Sequence, residues 1–453
     1  MTFLIEDATV PAPPNLPLAP TAYESRYHEQ FNNVLRLYFN RLNALLNRIV
    51  ATTTPIPVTY TGGNIDAFGR LRVSNPLTIF DSQNRYQADN QFSESTVNGA
   101  SITYSLDEST VLMSADTTSG SKAVRQSFRV MPYQPGKGLL FMGTFVMAAA
   151  QTNLRQRVGY FNTDNGVFLQ QSGSTVSFVL RTSTSGTPSD ARTVNQADWN
   201  GDKLDGTGDS GYTLDLTKSQ ILFMDFEWLG VGSVRCGFII DGQYVICHTF
   251  NNANDLNKVY MTTAILPVRY EIEATAAIAT GATLKQICST VISEAGYQQA
   301  ATNQFARRTS VLTGITTTFV PLVSIRLASD SLGAVVLAQA VQVFPLTTQN
   351  YEVVLLKNAT LTGASYNTTD FTHVDYDVTA TAVSGGTIVL HNYVSSTAQG
   401  RASSFAPTGY NFDLQLGASL AGVSDVFTLA IRTVSGAPTG EAIGAIDFLD
   451  LTD

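Results

Sequence analysis

Asp225 and Glu227, in ILFMDFEWLGVG, are the carboxylates best spaced for chemistry. Two residues apart on a strand, they project from one face. Paired carboxylates on one face are what glycoside hydrolysis uses, one as acid and one as nucleophile or base. The competing reading makes them structural carboxylates held by arginine, Arg235 or Arg269. A second set lies in DWNGDKLDGTGDSG (198–211). There Asp198, Asn200, Asp202 and Asp209 match the first, third, fifth and twelfth positions of a calcium loop, whose ion takes six to eight oxygens. Lys203 stands where that loop has glycine, and Asp209 where it has a bidentate Glu. The competing reading is an acidic surface loop built on Asx turns. Calcium, in a structural role, is the one cofactor the sequence brings into question.

The stretch ending at Glu227 resembles the Glu-x-Asp-x-Glu strand of lectin-like β-glucanases. Phe223 stands where the first glutamate belongs, so the residue that would be the nucleophile is missing. No catalytic residue is expected, and the chain reads as a non-enzyme. The four histidines, His28, His248, His373 and His391, form no HExxH and no other close pair. No phosphate loop and no GxSxG elbow occurs. Cys236 and Cys247 fall opposite each other in a hairpin about Asp241-Gly242, a strong two-residue turn. That pair sits at a hydrogen-bonded site, where Cβ atoms are farther apart, so two buried thiols are expected rather than a disulfide. Trp199 and Trp228, with tyrosines, are candidates for stacking on sugars.

These residues need a scaffold, and the composition says which kind. The chain has 453 residues, a net charge of −9 and 14% charged residues. That charge is well below the usual share of roughly a quarter. Low charge with many β-branched and aromatic residues favours strands over disorder. No Lys/Arg stripe is present, which counts against nucleic-acid binding. No run of about 18 apolar residues predicts a membrane span. The N-terminus lacks the pattern of a signal peptide.

Residues 1–20 carry five prolines and predict an extended arm, either a loose terminus or a docking peptide. Residues 21–52 predict a helix. Leu35, Phe39, Leu42, Leu46 and Ile49 are spaced 4-3-4-3, a short coiled-coil-like seam, and Phe31, Val34, Tyr38 and Leu45 widen it. Such a helix either folds back on its own domain or serves attachment and oligomerisation. Residues 53–63 read as a linker. From 64 to 298 short apolar runs alternate with turn signals and predict an antiparallel sandwich, closed by a modest helix at 284–295. Residues 299–453 predict a second sandwich, with strand candidates at 320–328, 334–344, 350–361, 375–383, 387–394 and 426–434. The expected fold class is mainly β: an N-terminal helix, a lectin-like jelly roll and a C-terminal β-sandwich.

DAFGRLRVSNPLTIFDSQNRY (66–86) resembles a segment near the start of large β-rich virion proteins of tailed phages, particularly marine and cyanobacterial ones. ADWNGDKLDG (197–206), FEWLGVGSVRCGF (226–238) and LPVRYEI (266–272) are similar to the jelly-roll domain of that family, and NNVLRLYFNRL (32–42) to its attachment segment. The resemblance implies a particle component assembled in the host cytoplasm and located in the virion. It implies self-association, taken as a trimer, and contact with other virion proteins through residues 1–50. A fibre, decoration or tail appendage fits. A host-surface glycan is the alternative partner, bound by the jelly roll.

Overall fold

The computed structural model describes residues 25–51, 75–298, 302–368, 373–396, 403–405 and 412–452. The expected arm (1–20) and linker (53–63) lie outside them. The chain divides into two compact units, Met1–Val73 and Ser74–Asp453. In the first, helix α1 spans Ser25–Ala51 with no glycine or proline to interrupt it. Among the described residues no helix is long and apolar enough to cross a membrane.

The second unit is mainly β, as expected. Its first sandwich pairs an eight-stranded with a seven-stranded antiparallel sheet. The eight-stranded sheet runs Gln243–Phe250, Val234–Ile240, Gln220–Phe226, Leu139–Val146, Ala282–Ser293, Thr110–Ala115, Ser101–Ser105, and Leu77–Gln83 also pairs with Ala282–Ser293. The seven-stranded sheet runs Ser189–Asn195, Thr175–Thr182, Gly166–Ser172, Leu154–Phe161, Val268–Ala274, Lys122–Ser127, Phe92–Val97. Alternation builds the core between them. In Leu139–Val146, Leu139, Phe141 and Phe145 point inward, and Leu140, Met142, Thr144 and Val146 point outward.

The second sandwich has a five-stranded sheet centred on Gly440–Asp450 and Val336–Pro345. Its six-stranded sheet runs Asn367–Thr368, Val374–Asp377, Val320–Leu327, Val426–Thr433, Asn350–Lys357, Thr387–Ser395. Val335, Leu337, Phe412, Leu449 and Leu451 of this half join the apolar core that holds Phe80 and Phe92 of the first. Main-chain and side-chain bonds add to that join. Ala418 N–H donates to Phe128 O (2.9 Å), Gln415 Nε2 to Val130 O (2.8 Å) and Leu420 N–H to Ser93 Oγ (3.0 Å).

The structure corrects four sequence expectations. The helix expected at 284–295 is the strand Ala282–Ser293, central in its sheet. Its pairing with Leu139–Val146 shifts between Gln286 and Ser289. That bulge lets Leu284 and Val291, seven apart, share the core face, which is the spacing of a helix stripe. The hairpin at Asp241-Gly242 forms, with φ of +51° and +76°. Its register slips, so that Cys236 faces His248 and Gly237 faces Ile246. Cys247 is the extra residue; Cys236 and Cys247 are both buried and free. The run expected at 375–383 is two strands, Val374–Asp377 and Ala382–Ser384, in different sheets. The buried Asp377 carboxylate accepts the N–H groups of Ser365, Thr379 and Ala380 (2.9, 3.0 and 3.1 Å) and turns the chain out of the sheet. Gly440–Asp450 was not among the strand candidates, yet it is the longest strand of its sheet.

Candidate functional site

Asp225 sits on Gln220–Phe226 directly opposite Arg235, and the two form an ion pair. Of the two arginines weighed as its partner, Arg235 is the one; Arg269 lies on the other sheet and grips Glu271. Glu227 is exposed, one residue beyond the strand end. Phe223 is buried and meets Tyr244 edge-on at 5.0 Å. The face that would need a carboxylate for glycoside chemistry is therefore aromatic there, and Asp225 is engaged by a guanidinium.

The acidic loop is held by main-chain groups, its own and those of the neighbouring strand Gln243–Phe250. Asn200 Nδ2 donates to Thr249 O (2.9 Å) and its Oδ1 accepts Thr249 N–H (2.8 Å), which ties the loop to an edge strand. Asp202 accepts Leu204 N–H (2.8 Å) and Ser210 N–H (2.7 Å). Burial works to raise the Asp202 carboxyl, and these backbone donors outweigh it and hold it below its ordinary value. Asp205 accepts the N–H and hydroxyl of Thr207. These are Asx turns, the competing reading. Asp198 ends a short 3-10 turn, Gln196–Asp198. Among the described residues, no group of three or more His, Cys, Asp or Glu side chains could hold a metal ion. Of the residues the calcium spacing singled out, Asp202 has its carboxylate engaged by backbone amides and Asn200 is tied to Thr249, so neither is held free for an ion.

The tryptophans are placed as core and half-core residues. Trp199 is 2% exposed, lies 4.6 Å from the Phe178 ring and donates Nε1–H to Val194 O (3.2 Å). Its face is spent on packing, which corrects its reading as a sugar platform. Trp228 is half-buried against Tyr133 and donates to Met261 O. Among the described residues, exposed aromatic rings include the tyrosines Tyr86, Tyr244 and Tyr393 and the phenylalanines Phe39, Phe305 and Phe344.

On helix α1, Leu35 and Leu42 are half-buried and Phe39 is 58% exposed, with Phe31, Val34 and Tyr38 beside them. At 100° per residue Phe31, Leu35, Phe39 and Leu42 fall on one stripe. Leu37, also exposed, lies on the opposite side. The side chains of Leu46 and Ile49 lie outside the described residues.

Two charge clusters lie beyond what the sequence pattern predicts. On the outer face of the seven-stranded sheet, Glu271 is buried between Arg269 (2.7 Å), Lys122 (3.2 Å) and Arg157 (3.4 Å). Burial works to raise the Glu271 carboxyl; Arg269, Lys122 and Arg157 together outweigh it and hold it at about 2. Burial in turn pulls Arg157 down to about 10. The guanidiniums of Arg157 and Arg181 cover Phe168, and that of Arg269 covers Phe161. On the outer face of the six-stranded sheet, Glu352 bridges Arg432 (2.6 Å) and His391 (3.0 Å), and His391 meets the Tyr393 ring at 4.9 Å. The signal for the first cluster was present as alternating charges in LRQRVGY and VRYEIEA; which strands lie side by side decides how they pair.

No family model matches the chain, and no curated protein matches it. Among solved structures, the carbohydrate recognition domain of Emp47p aligns with a TM-score of 0.31 at 10% identity, over 51% of this chain and 99% of that one. A Bacillus licheniformis β-glucanase aligns at 0.30 and 11% identity, over 49% and 99%. The CBM2 module of the evolved Dit of Lactobacillus casei BL23 phage J-1 aligns at 0.33 and 8% identity, over 50% and 100%.

Proposed function

We propose that this chain is a non-enzymatic structural component of a tailed-phage virion, a homo-oligomer, taken as a trimer, anchored to the particle by its N-terminal region. It would stand as a fibre, decoration or tail appendage, after assembly in the host cytoplasm. The observation that carries this reading is helix α1, whose stripe of Leu35, Phe39 and Leu42 leaves Phe39 more than half exposed. An isolated helix is marginal in water and gains its stability by burying such a stripe against a partner. Copies of α1 side by side would do this, and the sandwiches would then be displayed together. Weak contacts repeated on one particle add up through effective concentration. The resemblance of residues 66–86 to phage virion proteins supports the same reading.

Deleting residues 1–50 tests it. The expected outcome is particles that lack the protein, while the remaining β unit keeps its far-ultraviolet dichroism and cooperative melting. Normal incorporation of the shortened chain would defeat the proposal. Light scattering should give three copies for the full chain and one for the shortened chain.

A second reading, binding of a host-surface glycan, is favoured by the exposed rings of Tyr244 and Tyr393, since exposed aromatics offer apolar faces with polar tips.

A further inference from the structure

Where the two sandwiches of the β unit meet, a cleft of about 480 Å³ opens. One wall is the 89–91 loop with Phe128 and Arg129; the other is formed by Lys357, Asn358 and the start of Thr387–Ser395. We propose that this cleft binds a short neutral oligosaccharide. The inference rests on the glycan-binding reading above and adds the place and the ligand class; it does not depend on how the chain is anchored.

The walls of the cleft are rigid. Arg129, buried in the first wall, donates to Phe412 O and Gln91 Oε1. The bonds from Gln415, Ala418 and Leu420 to the first sandwich fix the same junction. A site whose walls are already positioned loses little entropy on binding. Its volume falls within the roughly 300–1,000 Å³ typical of small-molecule sites, and domain junctions are a common place for them.

The lining mixes acceptors with donors. Asp89, Asp413 and Asp425 line the cleft together with Arg129 and Lys357. Asp425 holds Lys357 at 3.0 Å and also accepts from Asn358 Nδ2 (2.7 Å), while Asp413 lies 3.8 Å from Arg129. Charge is thus largely balanced within the wall. A carboxylate accepts at about four lone-pair sites and an ammonium donates three hydrogens, so donor and acceptor capacity remains on neighbouring atoms. An anion would face three carboxylates. A bare cation lacks a ligand set, since no metal-holding cluster occurs among the described residues. A hydroxyl both donates and accepts, so a polyol matches this mixed wall. Phe128 and Val389, both half-buried in the lining, offer apolar surface to the C–H face of a sugar ring.

The test is titration calorimetry of the full chain with maltotriose, cellotriose and tri-N-acetylchitotriose, and with 3′-sialyllactose as the anionic probe. Two variants fill the cleft from exposed positions, Asn90→Trp and Thr387→Trp; Tyr393→Ala removes an exposed ring elsewhere. The expected result is binding of at least one neutral probe, weakened about tenfold or more by each filling variant, and unchanged by Tyr393→Ala. A tenfold change corresponds to about 1.4 kcal/mol. Preference for sialyllactose, or neutral binding that survives both filling variants, would overturn the cleft. Loss of binding in Tyr393→Ala alone would overturn it while leaving the glycan reading standing. Absence of binding by every probe at millimolar concentration would overturn both, without touching the particle reading.

Discussion

The outer faces of the seven-stranded and six-stranded sheets carry the same motif, a carboxylate between cations, in opposite surroundings. Glu271 is 2% exposed, and Arg157 and Arg269 beside it are nearly as buried. Glu352 is also buried, but its partners His391 and Arg432 have side chains about 40% exposed (40% and 39%). Burial removes the water that would otherwise solvate each charge. The first cluster must therefore stay paired for that face to stay folded, whereas the second can lose its pairing to solvent at little cost.

Replacing Glu271 with Gln should have the largest effect. It leaves Arg269 and Arg157 buried without their shared anion, which typically costs about 3–5 kcal/mol. Urea unfolding should show a lower midpoint with an unchanged slope. A loss of well under 1 kcal/mol would erase the contrast between the faces.

Acid should act next, and mainly through the same residue. The Glu271 carboxyl is held at about 2, below its usual 4.5. A lowered folded-state value gives stabilisation that is fully present above the unfolded value and is lost as pH falls toward the folded one. Stability should therefore decline between about pH 4.5 and pH 2, and Glu271→Gln should flatten that decline. An equally steep decline in the variant would assign it to other carboxylates.

Glu352→Gln should have the smallest effect, below about 1 kcal/mol, because its partners are half in water. Salt should mask what effect there is. A loss comparable with that of Glu271→Gln would show that exposure is a poor guide to these clusters.

How far the sequence discloses this architecture can be followed residue by residue. The Asp241-Gly242 hairpin was legible because type I′ turns demand a residue pair that tolerates positive φ, and the structure has both there. Mainly β character and an N-terminal helix were legible from periodicity. The strand Ala282–Ser293 was not, since its bulge copies helical spacing, and a bulge is fixed by the neighbouring strand. Gly440–Asp450 was hidden by its small residues, Ala442, Gly444 and Ala445, which give weak alternation although Leu322 and Leu429 pack closely over Gly444. The acidic loop was visible as carboxylates, but whether they face an ion or their own amides depends on the path of the chain. The cleft was invisible, because its walls come from segments more than 200 residues apart that share no pattern.

Gly440–Asp450 has one more consequence, and it concerns synthesis. This strand pairs with Thr302–Arg307, Leu312–Ile315 and Val336–Pro345. Those three are made earlier and have no such partner until residue 450 leaves the ribosome. The first sandwich has its whole strand set once residue 293 has emerged, while the second waits with bare edges. Unpaired edges and long-range pairing invite association with neighbouring chains. Nascent chains halted before residue 440 should accordingly be the ones that aggregate or recruit chaperones, and the interval from 345 to 450 is when the growing polypeptide is most vulnerable.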